Sequence, residues 1–152
     1  MITKDILLSD HTDPRFAAAF QLYFAELGIT VRDWDGLFWE MNSTPDTHTF
    51  LRLDEAGETV GFLQFSVTEL ADRFFKMPAG FVREFWISEK YRGKGHGKAL
   101  LGLAEQYFVR NNIYRVILTT DQAPGFYLHM GYERAPDIRA KNGDEVFIKT
   151  LK

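Results

Sequence analysis

The chain has 152 residues, 45% of them hydrophobic, and a formal net charge of −3. That is enough apolar side chain for one domain over 1–152, and there is no basic field to hold nucleic acid. Cysteine is absent, which excludes disulfides, thiolate zinc sites and cysteine nucleophiles and permits a cytoplasmic protein. No signal-peptide pattern opens the sequence and no apolar run nears the roughly 20 residues that span a bilayer, so no membrane partner is expected.

In chain order, 2–8 reads as a first strand. Asp13-Pro14 reads as an N-cap followed by a first-turn proline, and Phe16, Phe20, Tyr23, Phe24 and Leu27 follow at helical spacing up to a stop at Gly28. A shorter helix over 32–41 contains Gly36, a weak helix former. Strands over 47–53 and 59–68 flank a hairpin turn at 54–58. A loop is expected around 71–80, broken by Pro78 and Gly80, before a fourth strand over 81–87. On an ideal strand Val82, Glu84 and Trp86 share the face opposite Arg83, Phe85 and Ile87.

A glycine-rich turn follows. Beyond it Leu100, Leu103, Ala104, Tyr107 and Phe108 form one apolar helical face that ends at Asn111-Asn112. A fifth strand covers 114–119, a short helix 124–130 stops at Gly131, and a last strand covers 145–151. Strand–helix–strand around 81–120 is a parallel crossover, whereas the preceding hairpin is antiparallel. The sheet is therefore mixed. No repeat or linker divides it.

The turn Arg92-Gly93-Lys94-Gly95-His96-Gly97 lies between a strand and a helix. A helix N-terminus offers unpaired N–H groups and a positive dipole, and glycine lets main chain approach an anion closely. Two phosphate-binding patterns fail here. The P-loop needs glycine at Arg92 and Ser or Thr at Ala99, and the dinucleotide fingerprint needs glycine at Lys98 or Leu100. The pattern that fits is R-x-x-G-x-G.

That pattern resembles the acetyl-CoA signature of the GNAT N-acetyltransferase superfamily, Q/R-x-x-G-x-G/A. The likeness extends over 85–101. Downstream, Ala123-Pro124-Gly125-Phe126-Tyr127-Leu128-His129-Met130-Gly131-Tyr132 is similar to a second family segment, and 146–151 to its last strand. Three positions depart from the usual pattern: Glu89 where proline is common, Thr120 where asparagine is common, and Pro124 within the short helix. The resemblance implies an α/β (α+β) fold with a central mixed, mostly antiparallel twisted sheet and helices on both faces. It also implies acetyl-CoA as co-substrate, with no metal.

By the same resemblance, main-chain amides of Lys94, Gly95, His96, Gly97 and Lys98, with Gly93 shaping the turn, are expected to hold the coenzyme A pyrophosphate, with charge from Arg92 and Lys98. Pantetheine is expected along the backbone of Phe85 and Ile87, and an amide near Trp86 or Ile87 is expected to polarise the thioester carbonyl. Tyr127 is the candidate general acid, and a phenol with a reference pKa of about 10 is protonated at neutral pH. Glu84 is the candidate base; its alternative is an ion pair with no chemical role. The four histidines show no ligand spacing.

Direct transfer in a ternary complex to a small primary amine is expected. The resemblance places the acceptor between the first two helices and the loop before the fourth strand, where Asp33-Trp34-Asp35, Phe38-Trp39-Glu40, Glu69 and Phe74-Phe75 suit a cationic amine through charge pairing and cation–π contact. The same segments also read as an amphipathic helix with buried rings and solvated carboxylates. Three alternatives stay open: a protein lysine or N-terminal acetyltransferase, a non-catalytic acetyl-CoA-binding domain, and a nucleotide-binding protein. A homodimer is compatible with all of them.

Overall fold

The computed structural model describes residues 2–71 and 73–152. Met1, ahead of the first strand, and Asp72, in the loop expected over 71–80, lie outside the described residues. The elements are β1 (Lys4–Leu8), α1 (Pro14–Leu27), α2 (Trp34–Ser43), β2 (Thr47–Leu53), β3 (Thr59–Ala71), β4 (Lys76–Ile87), a 3-10 turn (Glu89–Tyr91), α3 (His96–Arg110), β5 (Arg115–Thr120), α4 (Pro124–His129), β6 (Glu133–Arg134) and β7 (Glu145–Thr150). They build one sheet in the order β1-β2-β3-β4-β5-β7-β6. Only β4 and β5 run parallel among the pairs found. The sheet is mixed and mostly antiparallel.

Each face carries its own core. On one, Phe16, Phe20 and Phe38 of α1 and α2 pack with Phe62 and Trp86. Ring centroids of Phe16 and Phe62 lie 5.2 Å apart. On the other, Leu100, Leu101, Ala104 and Phe108 of α3 pack with Leu63, Phe65, Val82 and Val116. Helices thus cover both faces, and β3 is buried without a break from Val60 to Ser66, as a doubly covered strand must be. The caps of α1 follow the sequence: the Asp13 carboxylate accepts from Arg15 N–H, Pro14 opens the helix, and Gly28 closes it at φ 72°.

The expected loop over 71–80 is mostly strand. Pairing of β3 with β4 runs out to Ala71↔Lys76, with Pro78 opposite Glu69. Proline is tolerated there because β5 joins β4 only at Gly80 and Phe81, so the opposite edge of β4 at Pro78 has no strand to bond. Gly80 answers to packing rather than to a turn. A Cβ at that position would lie 2.5 Å from the Phe108 ring, so glycine is what lets α3 settle onto β4.

Candidate active site

The site begins with an irregularity in β4. Gln64 pairs with Glu84, but the next residue, Phe65, pairs with Val82, which leaves Arg83 as an extra residue in the strand. A bulge of this kind resets which face each side chain takes. Val82 therefore joins the α3 core, while Trp86 packs beneath α1 and Glu84 meets a side chain from that helix. The simple alternation expected from the sequence, with Val82, Glu84 and Trp86 on one face, is corrected by this bulge.

Glu84 is partly buried, and its Oε1 accepts a hydrogen bond of 2.8 Å from the Tyr23 hydroxyl of α1. Burial raises the pKa of its carboxyl, and the Tyr23 hydrogen bond and the Arg83 charge pull it back. Loss of water is the larger effect, so Glu84 holds its proton more tightly than an exposed glutamate does. Arg83 itself turns to Gln64, with its Nε 3.3 Å from Oε1.

Beyond Phe81 the two parallel strands part. β5 stays paired with β7 along its whole length, so β4 from Val82 onward has no neighbour on that edge. The gap is a cavity of about 680 Å³ that takes in Glu84, Phe85 and Tyr127. A second hollow of about 570 Å³ shares Tyr23, Leu27, Phe85 and Gln122 with it and runs on past Trp86 and Ile87 to Arg92. The two are one cleft, and it leads toward the glycine turn.

At that turn Gly93 and Gly95 take φ values of 75° and 87°. Gly95 is the N-cap of α3 and supplies no side-chain cap. The first helical bond beyond it runs from Ala99 N–H to the Gly95 carbonyl at 3.1 Å, so the amides of His96, Gly97 and Lys98 have no helical acceptor. No atom lies within 4 Å of a Cβ built at Gly93 or Gly95, whereas one at Gly97 would touch the rings of Phe85 and Phe126 at 3.6 Å. The turn is open, and its amides are available to an anion. Those features suit a pyrophosphate ester whose pantetheine arm lies in the strand gap.

The side chains of the turn divide. Lys94 and Lys98 are exposed and make no ion pair among the described residues. Arg92 is committed elsewhere: its Nε donates to the Ile87 carbonyl at 2.9 Å and its Nη2 to both Glu26 oxygens at 2.6 and 2.7 Å. Glu26 also accepts from the Trp86 indole at 2.8 Å. The His96 imidazole is buried beside Arg52 and the Tyr91 ring; burial and the Arg52 charge lower its pKa, so it is neutral near pH 7. Only its main chain faces the turn.

Tyr127 is placed by α4, which starts at Pro124 and is anchored by a 3.1 Å bond from Ala123 N–H to Thr120 Oγ1. Its ring packs against Tyr132 and Phe147 and the residue is only 7% exposed. The hydroxyl makes no hydrogen bond among the described residues, although no fully buried side-chain polar atom there lacks a partner. Its hydroxyl therefore keeps its slight exposure, toward the cavity it lines. Burial pushes the phenol up to about 12.

The segments expected to receive the acceptor do not line this cleft. Trp34 and Phe38 stack on each other in the α1–α2 core, and Asp33 caps α2 by accepting from Gly36 N–H. Trp39 is exposed outside the cleft, and Phe75 borders a separate hollow at the β3–β4 hairpin end, far along β4 from the turn. The cavity wall away from β4 comes instead from Leu27, Ile29, Asp121, Gln122, Asn142 and Asp144. Tyr23 and these residues carried no sign of a cleft in the sequence. Tyr23 and Leu27 belong to the apolar stripe of α1, and the others lie in the segments between elements.

The sheet, the parted strands and the open helix N-terminus define an acyl-CoA N-acyltransferase fold. Residues 7–132 match the sequence pattern of the Acetyltransferase (GNAT) family, to which the chain belongs. No curated protein sequence matches it. Among solved structures it is similar to a GNAT-family acetyltransferase from Staphylococcus aureus, at 16% identity and TM-score 0.76 over 99% of this chain and 100% of that one. It is also similar to a chain of the NatC complex bound to Gag peptide and CoA, at 18% identity and TM-score 0.71 over 100% of both chains. A third similarity is to an aminoglycoside acetyltransferase from an uncultured soil metagenomic sample, in complex with sisomicin, at 19% identity and TM-score 0.67 over 85% of this chain and 84% of that one.

Proposed function

We propose that the protein transfers an acetyl group from acetyl-CoA directly to a small primary amine. The observation that carries this reading is the joining of three features in one cleft: Glu84 and Tyr127 on one cavity, the β5-facing edge of β4 unpaired after Phe81, and the bare α3 N-terminus beyond. Acetyl-CoA supplies the activated acyl carbon and a sulfur leaving group. The amides of His96, Gly97 and Lys98, together with those of Lys94 and Gly95, bind its diphosphate, and exposed Lys94 and Lys98 add charge. Arg92 braces the end of β4 through Ile87 and Glu26 rather than reaching outward.

Backbone of Phe85 and Ile87 receives the pantetheine amides, and an amide near Trp86 or Ile87 polarises the thioester carbonyl. Glu84 takes the proton that the acceptor ammonium loses before it attacks. As the tetrahedral adduct collapses, its nitrogen sheds its second proton to solvent and Tyr127 gives its phenolic proton to the departing sulfur. Tyr127 is reprotonated from solvent and Glu84 releases its proton, so that amide, thiol and one net proton leave. Three carboxylates on the cavity wall, Glu84, Asp121 and Asp144, against one arginine, Arg83, favour a cationic acceptor. A primary amine is also what the sisomicin-bound relative's aminoglycoside class offers.

The test is an amine panel with acetyl-CoA, followed by release of free thiol. Thiol release that depends on one or more small amines is expected. Tight coenzyme A binding with no amine-dependent release would overturn the reading in favour of an acetyl-CoA-binding domain. Transfer to peptides alone would replace the small amine with a protein acceptor.

A further inference from the structure

Tyr23 stands outside every motif in the sequence, yet it is the side chain that touches Glu84. Its hydroxyl reaches across from α1 and donates to Glu84 Oε1 at 2.8 Å. Two features make this contact more than surface decoration. Tyr23 is held by rings on three sides, 5.5 Å from Phe20, 5.6 Å from Phe24 and 5.7 Å from Phe62. It also lines both halves of the cleft, so the hydroxyl is presented at the junction of the two hollows.

The β4 bulge explains why a helper is needed. It leaves Arg83, the residue before Glu84, without a pairing partner in β3, and a carboxylate free to turn could pair with its guanidinium. A base paired in that way could not take a proton from the acceptor. Holding Oε1 on α1 leaves the other oxygen for the cavity and keeps the carboxylate off Arg83.

We infer that Tyr23 is a positioning residue for the transfer reaction: its hydroxyl fixes the Glu84 carboxylate in the cleft and keeps it ionised as the base. The inference rests on the reading of Glu84 proposed above. A phenol that donates to a carboxylate favours the charged form, in opposition to the burial that raises the Glu84 pKa. The same contact keeps Tyr23 itself protonated, since burial first and the neighbouring Glu84 charge next raise its pKa. The groups facing Glu84 are Tyr23 from α1, Arg83 on its own strand, Tyr127 from α4, Asp121 after β5 and Asp144 before β7, with neutral Gln64 on β3. Among these, Tyr23 alone donates a hydrogen bond to the carboxylate.

The experiment is the pH profile of kcat/KM with an amine that turns over, for wild type, Tyr23→Phe and Glu84→Gln. Tyr23→Phe keeps the ring and its packing and removes only the donor. Its acidic limb should move up by about one pH unit, so activity falls about tenfold below the limb and recovers above it. The KM for acetyl-CoA should not change. Site-specific 3-fluorotyrosine at position 23 is a stronger donor with the same shape, and it should move the limb down. Adding Tyr23→Phe to Glu84→Gln should cost nothing more.

Limbs that coincide in wild type, the phenylalanine variant and the fluorotyrosine protein would overturn the role of Tyr23. Full activity of Glu84→Gln would instead remove Glu84 as base, which is the failure of the underlying reading and separable from the first.

Discussion

The Tyr127 hydroxyl makes no hydrogen bond among the described residues and keeps its slight exposure on the cavity, so it is a donor free for a bound partner. For Tyr127 that partner is read as the leaving sulfur. Tyr127→Phe removes no hydrogen bond made among the described residues, so its thermal stability should change little. Turnover should fall by about 100-fold or more, the usual loss when a positioned general acid is removed. Affinity for acetyl-CoA should stay within about twofold. Burial pushes the phenol up to about 12, two units above an exposed tyrosine, so Tyr127 stays protonated as pH rises from about 7 to 9. The variant should therefore lose the same factor at both ends of that range. A loss seen only at one end, or none at all, would take the proton away from Tyr127.

At the scale of elements, the glycine turn was legible because its chemistry is local. Alternating glycines between a strand and a helix fix positive φ and bare amides whatever surrounds them, and Gly93 and Gly95 behave so. The bulge at Arg83 was not legible, because a bulge is a property of two paired strands and β3 holds half of its cause. The far wall of the cavity was missed for a related reason: Leu27 with Ile29, Asp121 and Asp144 come from three distant stretches that only the fold assembles. Of the aromatics expected there, Trp34 and Phe38 were drawn into the α1–α2 core, while Trp39, Phe74 and Phe75 stay exposed away from the cleft.

The element best suited to a test is the first turn of α3. A substitution at Gly95 is confounded by its φ of 87°, but Gly97 lies within the helix and its Cβ would make ordinary contacts at 3.6 Å. Gly97→Asp puts a carboxylate in the first turn, where the helix dipole favours it by about 0.3–1 kcal/mol. The fold should be at least as stable. Coenzyme A should nevertheless bind at least about tenfold more weakly, because the new charge occupies and repels the diphosphate position. Isothermal titration beside a melting curve reads both quantities, and unaltered affinity would move the cofactor away from this turn.

Across the whole molecule, the sheet is nearly cut in two. Among the described residues, strands β1 to β4 continue to β5, β7 and β6 through two residue pairs, Gly80↔Val116 and Phe81↔Ile117. The α3 core, with Phe65, Val82, Phe108 and Val116 in one cluster, holds the two parts together beneath that narrow join. A ligand lying in the gap would bond to both lips and act as the missing pairing. Binding to the native state alone stabilises it by about 2.7 kcal/mol when ligand is a hundredfold above its Kd. For a domain of this size each kcal/mol raises Tm by about 2–4 °C, so coenzyme A should raise it by about 5–11 °C. Hydrogen exchange locates the effect. Amides over 82–87 and 118–123 should slow together when coenzyme A is added, while those of β1 and β2 should follow only the change in global stability. Protection confined to the α3 turn, with both lips exchanging as before, would mean that the diphosphate binds but the arm does not enter the gap.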